Sequence, residues 1–151
     1  MSQNFAARVA LAAGGGVGFL KTDAQGRLLT TSDASEPSAV MDSSGDVAAA
    51  AAIATLPGVS GKTNFLSGFI LAGSGATAAS VVLVTITGLL GGTVTMPIGV
   101  PAGAAVGITP IICNFENPLP AADVNTDIVV TMPSLGVGNL HASATAWGTV
   151  V

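Results

Sequence analysis

Ser80-Val81-Val82-Leu83-Val84-Thr85-Ile86-Thr87, then Gly88-Leu89-Leu90-Gly91-Gly92, then Thr93-Val94-Thr95-Met96-Pro97-Ile98 is the stretch that decides the fold. Its two outer runs are rich in β-branched residues, whose stiff side chains suit a pleated surface better than a helix. The glycine-rich piece between them is short enough for a hairpin or bulged hairpin. In the first run one face would carry Val82, Val84 and Ile86, and the other Val81, Leu83, Thr85 and Thr87. Both faces are therefore weakly apolar, and the usual polar outer face of a solvated sheet is missing.

Similar runs recur to either side. Thr63 to Ala72, Ala105 to Cys113, Asp127 to Met132 and Ala142 to Val150 read as strands, separated by Pro57-Gly58, Pro101-Ala102-Gly103 and Pro118-Leu119-Pro120. Val47 to Leu56 is ambiguous: its alanines favour a helix, but Gly45 and Pro57-Gly58 leave little more than a strand's length, and strand is the reading taken. Seven or so short strands with turn signals between them predict an all-β sandwich or barrel. Residues 46–151 form that domain.

Residues 1–45 differ in composition. They hold Arg8, Lys21 and Arg27 of the four basic residues, and Asp23, Asp33, Glu36 and Asp42 of the eight acids, with Asp46 at the boundary. Ser2 to Ala13 has the spacing of a short helix, with Phe5, Val9 and Ala12 on one face. Phe19 to Thr22 and Arg27 to Thr30 flank Asp23-Ala24-Gln25-Gly26 as a hairpin would. Thr31 to Gly45 has a linker's composition. The segment is too polar to hold a core alone and reads as an extended arm.

Only 8% of the chain is charged, against about a quarter in an average globular protein. From Thr63 to Phe115 there is no Asp, Glu, Lys, Arg or His. Without clustered Lys and Arg to neutralise phosphates, nucleic acid is excluded as an expected partner. The long uncharged stretch is too interrupted by Gly and Pro to predict a membrane helix. The apolar run after Arg8 is too short for a secretory signal, so synthesis in the cytosol is expected. The single Cys113 has no partner for an internal disulfide and reads as a buried thiol.

Motifs for chemistry fail on their context. Gly73-Ser74-Gly75-Ala76-Thr77-Ala78 imitates a dinucleotide fingerprint, but a strand follows it and no acid stands about twenty residues on. Gly61-Lys62-Thr63 lacks the first glycine of a phosphate-binding loop and also runs into a strand. His141, the only histidine, has Ser143 two residues away but no nucleophile elbow. Asp123, Asn125 and Asp127 begin a calcium-loop spacing that lacks the required glycine. The expectations are therefore no catalytic residues, no cofactor and no metal. Trp147, the only tryptophan, is expected to pack in the core or against another subunit.

The outer surfaces of so neutral a β-domain need covering, because an exposed apolar sheet invites pairing with other chains. Homo-oligomer formation follows as an expectation, with a trimer favoured. Beyond this, Leu66-Ser67-Gly68-Phe69, Gly75 to Val81, Val84 to Gly92, Val100-Pro101-Ala102-Gly103 and Asn125 to Pro133 together resemble small virion proteins of tailed bacteriophages. The resemblance implies a jelly-roll-like antiparallel β-sandwich bound to a head shell or tail, with no catalytic residues. The expected function is that of a capsid decoration (cement) protein contacting the major capsid protein or another virion protein. Tail-associated structural protein or host-recognition adhesin is the alternative, and a hydrolase on a β-scaffold is the least favoured reading. Candidate contact residues are Phe5, Arg8, Phe19, Leu20, Arg27 and Leu28 of the arm, and Trp147.

Overall fold

A computed structural model describes residues 21–22, 28–29, 38–136 and 138–151. The chain divides into two units, Met1–Glu36 and Pro37–Val151. In the first, β1 (Lys21–Thr22) and β2 (Leu28–Leu29) pair antiparallel, with Lys21 opposite Leu29 and Thr22 opposite Leu28. The expected helix over Ser2 to Ala13 lies outside the described residues.

The second unit holds β3 (Ser38–Ser43), β4 (Ala52–Leu56), β5 (Asn64–Ser74), β6 (Ser80–Thr87), β7 (Val94–Val100), β8 (Ile111–Pro120), β9 (Ile128–Met132) and β10 (His141–Val150). They form two four-stranded sheets, ordered β3-β10-β5-β8 and β4-β9-β6-β7, with every pairing antiparallel. Four pairs explain the order: β6 with β7, β5 with β8, β4 with β9, and β3 with β10. The unit is one long antiparallel ribbon whose tip is the Gly88–Thr93 loop and whose two arms are rolled together. The closing pairs are β10 with β5 and β6 with β9. This is a jelly roll, the all-β sandwich made by wrapping a hairpin on itself.

At the tip, Gly88 has φ +80°, and a Cβ there would run into the carbonyl of Asp127, so only glycine fits. Leu89, next to it, is buried and bridges to Ala121. The inner faces alternate as the pleat requires: Ala52, Ala54 and Leu56 on β4, Ile128, Val130 and Met132 on β9, and Ala142, Ala144 and Ala146 on β10 are buried. Because the facing positions of β4 and β10 are mostly alanine, these strands approach to within 8 Å between Cα atoms, closer than the ~10 Å usual for stacked sheets. β3 and β4, the edge strands at that side, are tied by Asp42, whose carboxylate accepts the amide of Thr55 at 2.6 Å.

Asn64 is fully buried at the start of β5. Its side-chain amide donates to the carbonyls of Leu56, Pro57 and Thr126 at 3.1, 2.9 and 3.1 Å, pinning the end of β4 to the loop before β9.

Three expectations need correction. Ser38–Ser43, read as linker, is a strand: β3 completes the pairing of β10, and the second unit begins at Pro37, not residue 46. The strand expected over Val47 to Leu56 is confined to Ala52–Leu56. Ala49 has φ +52° and donates to the carbonyl of Asn139, while Val47 makes only an isolated bridge to Ala142. The strand expected over Ala105 to Cys113 is instead Ile111–Pro120. As an edge strand with a bulge opposite Leu66–Gly68, it accepts Pro118 and Pro120 without losing ladder bonds. Gly107 and Ile108 are held as a loop against the end of β5.

Candidate interaction surface

β4, β6, β7 and β9 contain no ionisable side chain at all. The register of their outer face puts Ile53, Thr131, Thr85 and Thr95 in one cross-strand row. Leu83 stands beside Pro97 and Val81 beside Gly99. Ile53, Val81 and Leu83 are exposed, Val81 to 68%. A sheet face of threonine, valine, leucine and glycine offers water only hydroxyls and backbone, and nothing on it repels another neutral surface.

The outer face of β3-β10-β5-β8 is different in character. One row runs Met41, Trp147, Gly68, Asn114, and the next runs Ser43, Thr145, Ile70, Ile112. Met41 is 73% exposed and Ile112 61%. Ser43 and Thr145 share a hydroxyl–hydroxyl hydrogen bond of 2.9 Å across the strands. Trp147 is half-buried because its ring lies over Gly68: a Cβ there would be 2.5 Å from Cζ2 of the indole and equally close to the carbonyl of Cys113. The glycine makes a seat, and the ring is presented in one orientation with part of its surface in water. A fixed, partly exposed aromatic is the kind of side chain that anchors protein interfaces.

Of the contact residues expected from sequence, this surface contains Trp147. Phe5, Arg8, Phe19, Leu20 and Arg27 lie outside the described residues, and Leu28 lies in β2, paired with Thr22. Met41, Ile70, Ile112, Ile53, Val81 and Leu83 were not singled out. Their only sequence signal was alternation, which does not say which face of a strand points inward when both are apolar.

At one end of this sheet the antiparallel bridge between Val47 and Ala142 brings Asp46 beside His141. Nδ1–H of the ring donates to Oδ2 of the carboxylate at 2.8 Å, and both side chains are more than half exposed. They border an open cleft of about 270 Å³ with Ser74 and Ser143 on its walls and Ile108 among its apolar lining. Among the described residues the ring's hydrogen bond goes to Asp46 and not to a serine hydroxyl. Asp123 accepts the amide of Val124, and Asp127 accepts that of Gly58, so these acids hold turns. Among the described residues no three His, Cys, Asp or Glu side chains gather as a metal site would need, and no helix is long and apolar enough to cross a membrane.

Comparison with known proteins finds no family model, no curated protein and no solved structure that matches this chain.

Proposed function

We propose that this chain is a non-enzymatic structural protein of a virion, a capsid decoration (cement) protein that self-associates and binds the head shell. The observation that carries the reading is the pair of outer sheet faces. One is free of ionisable groups, and the other sets Met41, Ile70 and Ile112 around a seated Trp147. A monomer at work in water would carry charge on such faces and along its edge strands. A subunit whose faces are covered in an assembly has no need of it. Jelly rolls are used widely in capsids, and the resemblance of Asn64 to Gly148 to phage virion proteins points the same way. The arm, with its share of the chain's charge, would reach a neighbouring capsid subunit.

A tail-associated protein or host-recognition adhesin is the second reading. The open cleft beside Asp46 and His141 favours it, since its mixed polar wall could hold a small polar ligand.

Light scattering on the purified chain, alone and with undecorated shells of the virus that encodes it, separates these readings. A stable small oligomer that saturates shells at a fixed ratio supports the cement role. A monomer indifferent to shells but retained by host cells would replace it with the adhesin.

A further inference from the structure

The two sheets are close where alanines face each other, at β4 and β10, and tied at the β3 and β4 edges by Asp42. At the opposite side, β7 and β8 end their sheets without pairing to one another, and the residues there are large. Phe69, Val84, Ile86, Met96, Cys113 and Phe115 surround a pocket of about 160 Å³ between the sheets, with Val94 at its exposed mouth. The Phe69 and Phe115 rings stand 6.1 Å apart at 50° and form one wall. The walls contribute no polar surface. Such a space gives water no hydrogen-bond partners, and a dry apolar cavity of about 150 Å³ takes up benzene in a protein engineered to contain one.

We propose that this mouth between β7 and β8 is a binding site for a compact uncharged hydrocarbon group, an aromatic ring or branched alkyl of about six to eight carbon atoms. The volume sets the size, and the lack of any polar wall excludes charged or hydrogen-bonding ligands, which would lose their hydration without replacement. The inference is independent of the cement reading, because it uses the interior side of β5, β6, β7 and β8 and not their outer faces.

Cys113 is the only cysteine, so its modification reports this pocket alone. The experiment uses toluene as the probe on the full chain. The rate of Cys113 modification by methyl methanethiosulfonate is followed by mass spectrometry, and Tm is measured in parallel. Toluene at ten times its Kd is expected to slow modification about tenfold and to raise Tm, since a ligand bound only by the native state stabilises it. Val94→Phe, which fills the mouth from an exposed position, is expected to fold, to modify slowly without toluene, and to lose both responses. The proposal is overturned if neither rate nor Tm responds up to the solubility of toluene, or if Val94→Phe responds as the parent does. It is equally overturned if modification slows with protein concentration but not with toluene, which would give the socket to a side chain of a second copy.

Discussion

Two residues do more for this fold than their types suggest. Asn64 is buried with three carbonyls around its amide and no partner for its own Oδ1. Replacing the amide by a carboxylate of the same shape removes the donors and sets a negative charge against those carbonyls. Asn64→Asp is expected to destabilise the domain by about 3 kcal/mol or more at pH 8, measured by urea unfolding. Burial raises the pKa of the introduced carboxyl above its unfolded value, so the loss should be largest above the folded pKa and shrink as pH falls toward the unfolded one. A loss independent of pH would mean that the introduced charge is not held against those carbonyls. Gly68 is the other. Gly68→Val cannot coexist with the present position of Trp147, so the indole must leave its seat. With no other tryptophan and no tyrosine in the chain, the fluorescence maximum is expected to move to the red. An unchanged spectrum would show that the ring is not held there.

At the scale of elements, the outer face of β4-β9-β6-β7 lacks the ionisable side chains usual on a solvated sheet. β4 is an edge strand whose Thr55 amide is satisfied by Asp42 from the other sheet, a clasp that closes the sandwich at that side. Asp42→Ala is expected to cost about 2 kcal/mol of stability, the range of a hydrogen bond to a charged acceptor, in the same denaturant assay. The outer face of β6 offers the opposite experiment. Leu83 contributes nothing to the core, so Leu83→Lys is expected to change stability by less than about 0.5 kcal/mol. If that face is an assembly contact, the same change lowers the oligomer mass or shell occupancy seen by light scattering. Retention of full assembly by the folded variant would remove this face from the interaction surface.

For the whole molecule, the division at Glu36/Pro37 decides where the chain can be cut. Residues 37–151 contain every strand of the jelly roll and are expected to fold with a cooperative transition, while losing shell binding if the arm supplies it. A fragment beginning at residue 46 lacks β3, leaves the edge of β10 unpaired and removes Asp42. It is expected to have a clearly lower Tm or to aggregate, and equal stability of the two fragments would show that β3 adds nothing. Such a rolled ribbon pairs strands as far apart in the chain as β3 and β10, so folding is expected to be slow for its size.

The strand content was legible in the sequence because β-branched runs and glycine turns act locally. Ser80–Thr87 was read at its observed limits, and Asn64, Ile128 and His141 begin strands within a residue of the expected starts. The lack of ionisable groups in β6 and β7 was equally plain, since charge is a property of composition. Only the tertiary structure decided the rest. β3 is a strand because β10 offers it an edge, not because Ser38-Ala39-Val40-Met41-Asp42-Ser43 has strand propensity. Ala105–Pro110 is a loop that meets the end of β5 only around the Ser74–Gly107 bridge, and β8 tolerates its prolines because it stands at an edge. Trp147 faces outward because Gly68, far away in the chain, leaves room for it. Local backbone preference can be read along a chain. Which face of a strand is buried, which edge is free and which distant residue makes the seat depend on register across the sheet, where a shift of one residue exchanges the two faces.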